Sequence, residues 1–149
     1  MTSLHTLDTV IVGAGHAGLT LSRLLSLAGR EHVVLDRGRV GERWRTERWD
    51  SLRLVTPQWM NRLPGWTVEG DPDSFLSARH FVRGLEQYAA SFDAPVVTDT
   101  AVTLLTARQL GGYDVHTHRG TWRARSVVVA TGRVPSRRES ASIMRKIDR

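Results

Sequence analysis

The most constraining feature of this chain is the stretch Val10-Ile11-Val12-Gly13-Ala14-Gly15-His16-Ala17-Gly18. Val10, Ile11 and Val12 form a β-branched apolar run with no polar position, the composition of a strand covered on both faces. Gly13 permits a tight exit from that strand. Gly15 carries no Cβ, so a ligand can reach the backbone. Gly18 lets the next helix pack close to the sheet. That helix is predicted over residues 16–29, with an apolar stripe at Ala17, Leu21, Leu24, Leu25 and Ala28 and with Gly29 as its stop. Val33-Val34-Leu35 then reads as a second strand, and Asp36 closes a βαβ unit.

Glycine-rich turns alone are a weak signal, because glycine also serves purely conformational ends. Here the strand, helix, second strand and acid stand together in the order a dinucleotide site requires. The first N–H groups of the helix and its dipole face a pyrophosphate. Asp36 stands where an acid accepts hydrogen bonds from an adenosine ribose. His16 reads as a solvent-facing residue of the helix's first turn. Arg37 reads as a solvated surface charge, with a ribose phosphate as its alternative partner.

At 149 residues the chain has the length of one domain, and 40% hydrophobic residues suffice for a core. No apolar run is long enough to cross a bilayer, so no membrane partner is expected. Asp8 precedes the first apolar run and no basic segment does, which is not the pattern of a secretory signal. A cytoplasmic location is the expectation. The sequence contains no cysteine, which excludes a dithiol centre, a cysteine nucleophile and a thiolate metal site in these residues. His116 and His118 would share a strand face, but nothing nearby suggests a third metal ligand. The net charge of +6 is carried almost wholly by arginine. These arginines are scattered and form no basic face interleaved with aromatics, so no nucleic-acid partner is expected.

Beyond Asp36 the periodicity fades. Trp44, Trp49, Trp59 and Trp66 fall between Gly38 and Pro72, which marks an ordered, aromatic-rich excursion rather than a flexible linker. The tryptophans can form a satellite core, line a flat ring system, or do both. Ser77 is a candidate cap for a helix whose apolar face is Phe81, Val82, Leu85, Tyr88, Ala89 and Phe92, ending at Pro95. Val96-Val97, Ala101–Ala107, Tyr113–Thr117 and Thr121–Arg125 read as strands. The last three form an antiparallel meander. Ser126–Thr131 reads as a further, separate strand ending at Gly132.

Five segments narrow the reading further. They are the turn at Gly13–Gly18, Asp36, the run Val40-Gly41-Glu42-Arg43-Trp44, the run Arg48-Trp49-Asp50-Ser51-Leu52-Arg53-Leu54 with Thr56-Pro57, and Ala130-Thr131-Gly132. In this order they resemble the FAD-binding N-terminal part of class B flavin-dependent monooxygenases, the flavin-containing and Baeyer–Villiger-like enzymes among the two-dinucleotide-binding flavoproteins. The resemblance implies that Gly13, Ala14, Gly15, His16, Ala17 and Gly18 form the pyrophosphate turn. It implies that Asp36, with Arg37 beside it, holds the adenosine ribose. Trp44 and Leu52–Leu54 would lie along the isoalloxazine and ribityl portion, and Val102 would contact the adenine through its backbone. Ala130, Thr131 and Gly132 would return the chain to the cofactor. In such enzymes NADPH reduces the flavin, and the reduced flavin and oxygen then oxygenate a small-molecule substrate. Glu42 and Arg43 depart from the family pattern, which has a second glycine and a small hydroxyl residue before its tryptophan.

The fold class implied is α/β: a Rossmann-like parallel sheet flanked by helices, with strands near residues 8–12, 32–36, 96–97 and 127–131 and an antiparallel β-meander over 101–125. Residues 1–132 are read as an incomplete FAD-binding domain. Residues 133–149 do not resemble the NADPH domain that should follow, and are read as an atypical, disordered tail from a truncated or frame-shifted reading. Three alternatives stay open: another two-electron flavoprotein oxidoreductase, a plain NAD-binding domain, and a non-catalytic remnant of the family.

Overall fold

A computed structural model describes residues 5–67 and 69–132. Strand β1 (Thr6–Val12) enters the glycine turn and α1 (His16–Leu27), and β2 (His32–Leu35) returns parallel to β1. Val10 stands opposite Val33 and Val12 opposite Leu35, which is the expected βαβ unit. A short helix α2 (Glu42–Thr46) and a 3-10 turn (Gln58–Asn61) lead to α3 (Ala78–Ser91). Then come β3 (Val96–Val97), β4 (Val102–Ala107), β5 (Tyr113–Thr117) and β6 (Gly120–Val129). All six strands form one sheet in the order β3-β2-β1-β6-β5-β4. The α/β, Rossmann-like class read from the sequence holds.

The predicted division of the last strands does not. Thr121–Arg125 and Ser126–Thr131 are not two strands but one, β6. Its first half pairs antiparallel with β5, Gly120 opposite Thr117 and Ala124 opposite Tyr113. From Arg123 to Val129 it also runs parallel to β1. The arginines of its first half are satisfied across the sheet. Arg125 donates to Asp8 of β1 at 2.9 Å, and Arg123 donates to Asp114 of β5 at 3.1 Å. The meander and the parallel sheet are therefore continuous.

The predicted apolar stripe of α1 holds in part: Leu21 and Leu25 pack on the cluster of Ile11, Ala14 and Val34. Ala17, Leu24 and Ala28 are exposed, and the buried positions are Gly18, Leu19 and Ser22. A small residue at 18 forces that face against the sheet, for reasons given below. Ser22 tolerates burial because its hydroxyl lies 2.8 Å from Nε2 of His32. His32 Nδ1 donates to the Arg30 carbonyl at 2.9 Å, so Nε2 is the acceptor of the Ser22 hydroxyl. The helix does end as expected, with Gly29 at φ +62° and the Arg30 N–H on the Leu25 carbonyl at 2.9 Å.

Alternate residues of the central strands feed two cores, which is why the runs at Val10–Val12 and Val33–Leu35 show no polar position. Ile11 and Val34 face α1, with Ala14 beside them. Val10, Val12, Val33 and Leu35 join Leu105, Val115 and Ala124 on the opposite face. A third cluster joins Leu19 of α1 to Phe81, Leu85 and Tyr88 of α3 and to Leu54 and Leu63 of the excursion. Here the tryptophans divide. Trp44 meets Phe81 edge-on at 4.7 Å and Trp66 meets Tyr88 edge-on at 5.9 Å, whereas Trp49 is 64% and Trp59 49% exposed. Ser77 caps α3 as expected, accepting the His80 N–H at 3.3 Å. Among the described residues no helix is long and apolar enough to cross a membrane. The expected tail at 133–149 lies outside the described residues.

Candidate functional site

The three glycines of the turn have different physical reasons to be glycine. A Cβ on Gly13, whose φ is +115°, would stand 2.4 Å from the Ala130 carbonyl oxygen. A Cβ on Gly18 would stand 1.8 Å from the Gly13 carbonyl oxygen. Helix, turn and the end of β6 are thus stacked at backbone contact. A Cβ on Gly15 would meet nothing within 4 Å. Gly15 is therefore not a packing residue; it leaves space. It is also the N-cap of α1, which has no side-chain cap and no acid in its first turn. Leu19 N–H is bonded to the Gly15 carbonyl at 3.0 Å, which leaves the N–H groups of His16, Ala17 and Gly18 without an intrahelical acceptor. With the helix dipole, these face the space above Gly15 as a binding surface for an anion.

Asp36 points at this turn. Its Oδ2 accepts the Ala14 N–H at 2.7 Å and its Oδ1 accepts the Gly38 N–H at 2.9 Å. A carboxylate accepts about four hydrogen bonds, so each oxygen keeps capacity for a diol. The surrounding backbone is pinned to it. Thr100 N–H donates to the Asp36 carbonyl at 2.7 Å, Asp99 N–H to the Gly38 carbonyl at 3.2 Å, and Gly41 N–H to the Ala14 carbonyl at 3.0 Å. Thr100 is buried and ties the start of β4, with the partly buried Val102, to the Asp36 loop. No pattern in the sequence singles it out; the only local sign is the positive φ of Asp99 beside it.

The end of β6 completes the floor. Ala130 N–H donates to the Val12 carbonyl at 2.8 Å, and Ala130 presses on Gly13. The Thr131 carbonyl accepts from Arg43 Nη1 at 2.9 Å, and Gly132 has φ +77°. Arg43, a departure from the resemblance, thus braces this end from α2. It also holds Glu47 at 2.8 Å, and Glu47 holds Arg37 at 2.6 Å. Arg37 is accordingly an ion-paired surface residue. The other departure, Glu42, is gripped by Arg39 at 2.8 Å. The hydrogen bonds from the Arg39 side chain and backbone hold its carboxyl down at about 2.

The remaining expected residues fall on two sides. His16 is exposed overall, but its ring stacks on Phe81 at 6.2 Å, and the partial burial lowers its pKa below 6.5. That shift favours the uncharged ring. Ala14 is buried and Ala17 exposed. Trp44 lies against Phe81, one ring away from His16. Leu54 is buried in the cluster between α1 and α3, and Leu52 is half-buried. Both are held where Leu54 N–H meets the Leu76 carbonyl at 2.8 Å and Ala78 N–H meets the Leu52 carbonyl at 3.0 Å. His116 is not paired with His118. It sits between Thr106 and Thr121, each at 3.1 Å, while His118 lies beyond the end of β5. Among the described residues no group of three potential metal ligands occurs.

Residues 10–140 match the family described as Pyridine nucleotide-disulphide oxidoreductase. The chain belongs to that family. It is 35% identical over 135 residues to an uncharacterized CzcO-like oxidoreductase of Geobacillus kaustophilus, covering 86% of this chain and 36% of the relative. It is 31% identical over 125 residues to the probable indole-3-pyruvate monooxygenase YUCCA4 of Arabidopsis thaliana, covering 83% of this chain and 30% of that one. Among solved structures, a flavin-containing monooxygenase from Stenotrophomonas maltophilia superposes with a TM-score of 0.75 at 26% identity, over 86% of this chain and 39% of that chain. This chain therefore spans about a third of the length of the relatives it matches. The matches fall on a flavin monooxygenase lineage, and FAD is the cofactor that suits the family. The residues present fit it: an open backbone at Gly15, helix N–H groups without an intrahelical acceptor, and an acid bonded to the Ala14 N–H of the same turn. The thiol chemistry in the family's name has no residue to carry it here, because these 149 residues include no cysteine.

Proposed function

We propose that this chain supplies the FAD-binding part of an NAD(P)H-dependent flavoprotein monooxygenase, or of a closely related oxidoreductase, acting on a small-molecule substrate in the cytoplasm. The observation that carries the reading is the contrast within the turn. Gly13 and Gly18 are filled against backbone, and Gly15 alone opens onto space beside the Asp36 carboxylate.

In this reading the N–H groups of Gly15–Gly18 bind the pyrophosphate, and the helix dipole adds to their field. Asp36 accepts the ribose hydroxyls with the lone pairs left by Ala14 and Gly38. The loop at Asp99–Val102 offers backbone to the adenine. Trp44, Leu52 and Leu54 line the flavin end, and Ala130–Gly132 close the floor. Arg37 remains with Glu47 rather than with a phosphate. FAD, when bound, would supply the redox chemistry of hydride acceptance and oxygen activation. The protein's part at this end is to bind and orient. No side chain here is assigned as acid, base or nucleophile. Residues 1–132 form the unit that does this.

The test is the visible spectrum of the purified chain with and without added FAD. Flavin absorbance that travels with the protein through gel filtration supports the reading. A colourless product that takes up NAD and not FAD supports a plain NAD-binding domain instead. A folded product with affinity for neither is a non-catalytic member of the lineage, and the reading fails.

A further inference from the structure

A cleft lies between α2 and α3, with a volume of about 330 Å³. Five arginines line it against two carboxylates, Asp50 and Glu86. Two of the five are spoken for: Arg45 is bonded to Glu86, and Arg39 to Glu42. Among the described residues, no carboxylate lies within ion-pair distance of Arg48, Arg79 or Arg83. These three come from both walls, Arg48 from the segment after α2 and the other two from α3.

The placement of Arg79 and Arg83 breaks two local rules. They stand four residues apart on α3, where like charges on one face repel. Arg79 also lies in the first turn of α3, the positive end of its dipole, and that turn contains no acid to compensate. A surface helix gains nothing from this arrangement by itself. Departures of this kind concentrate where a ligand supplies the missing partner.

The rest of the lining says what kind of partner. Trp44 carries the Arg48 guanidinium over its ring at 5.0 Å, and Trp49, 64% exposed, stands beside it. Guanidinium forks recognise carboxylate and phosphate oxygens, and indole faces recognise flat rings. We infer that this cleft binds a small planar aromatic molecule bearing an oxyanion group, held by Arg48, Arg79 and Arg83 with its ring against Trp49. The shared chemistry is a flat ring with a phosphate or a carboxylate. The cleft shares Trp44 with the proposed flavin end, but Trp49 and the three arginines have no part in the dinucleotide reading.

Calorimetric titration of the whole chain tests this with 1-naphthyl phosphate and indole-3-carboxylate, against the neutral 1-naphthol and indole. The phosphate and carboxylate arms separate the two oxyanion sources, and binding of either supports the site. Its neutral counterpart is expected to bind at least about tenfold more weakly. Added salt weakens the anion only. The double variant Arg79→Gln/Arg83→Gln is expected to lose at least about tenfold in affinity for the anion while raising the melting temperature, because it removes the repulsion. Gly15→Ala, which fills the dinucleotide turn, is expected to leave this binding unchanged. Equal binding of neutral and anionic probes, an unchanged affinity in the double variant, loss of binding in Gly15→Ala, or no binding of either anion at about 10 mM overturns the inference.

Discussion

Three alanine substitutions in one turn separate packing from binding. Gly13→Ala places an L-residue at φ +115° and drives its Cβ to 2.4 Å from the Ala130 carbonyl oxygen. Backbone strain of about 1–3 kcal/mol and overpacking of about 1–3 kcal/mol give a loss of about 2–6 kcal/mol. Total stabilities of domains are about 5–15 kcal/mol, so this variant is expected to lose a large fraction of its stability and to melt far earlier than the parent. Gly18→Ala has no adverse φ, and alanine is favoured over glycine in a helix by about 1 kcal/mol. Its Cβ nevertheless falls 1.8 Å from the Gly13 carbonyl, a backbone atom that cannot swing aside. Separating helix from turn costs more than the propensity returns, so the melting temperature falls. Gly15→Ala has φ −93° and nothing within 4 Å of the new Cβ. Loss of an N-cap glycine costs about 0.5–1 kcal/mol, and the stiffer unfolded chain returns about 0.4–1 kcal/mol. Its stability is therefore expected to stay within about 0.5 kcal/mol of the parent. Its methyl group occupies the approach of a pyrophosphate, and the Kd for FAD is expected to rise at least about tenfold, or about 1.4 kcal/mol. Thermal unfolding followed by circular dichroism, and FAD fluorescence titration, read the two effects. A Gly15→Ala chain that binds FAD like the parent, or that melts as early as Gly18→Ala, refutes the division of roles.

Asp36→Ala removes the acceptor of the Ala14 and Gly38 N–H groups and is expected to cost about 1–3 kcal/mol before any ligand is added, seen as an earlier melt of the apo chain. Ser22→Ala strips the buried His32 Nε2 of its donor and costs about 1–3 kcal/mol; at about 2–4 °C per kcal/mol for a chain of this size, a melting temperature within 1 °C of the parent's (about 1 °C being the resolving limit) would refute it. The folded Glu42 carboxyl sits at about 2, below its ordinary 4.5, so its contribution is present above about 4.5 and is lost as pH falls toward 2. Glu47 is lowered in the same direction, chiefly by Arg43. The acid limb of stability is therefore expected to steepen below pH 4.5, and Glu42→Gln to flatten it, measured as melting temperature against pH. Arg43→Leu releases the Thr131 carbonyl and Glu47 together and is expected to cost about 1 kcal/mol, with faster amide exchange at Ala130–Gly132.

The glycine turn, β2 and Asp36 were legible because each obeys a local rule whose reason lies within a few residues of itself. Ser77 and Gly29 were legible on the same ground. The stripe of α1 was legible only at Leu21 and Leu25, because its most buried face is chosen by a contact rather than by hydrophobicity. Gly18 must meet the Gly13 carbonyl, and that rotates Leu24 out and Ser22 in. Serine at 22 looks like a surface residue until its partner His32 is known. β6 was misread for the opposite reason: its interior arginines are answered by Asp8 and Asp114 on different neighbouring strands, and no local pattern records that. Arg43 was noticed only as an irregularity. Its role as a brace depends on Thr131, 88 residues away.

The continuity of β6 bears directly on the site. One ladder runs from the meander through β6 to β1, so Ala130 is delivered to Gly13 by pairing that begins at Gly120. The floor of the turn is therefore set by a strand whose first half lies in another part of the sheet. β6 carries hydrogen bonds on both edges over Arg123 and Ala124, where the two pairings overlap. Beyond Ala124, among the described residues, only the β1 edge holds it, and Val129 is 46% exposed. The segment that meets the glycine turn is thus the less supported half of the strand, and Arg43 is the side chain that reaches its end from outside the sheet. The pair at 42–43 answers this demand in two steps: Glu42 fixes Arg39, and Arg43, one residue before the tryptophan, clamps the strand end through Thr131.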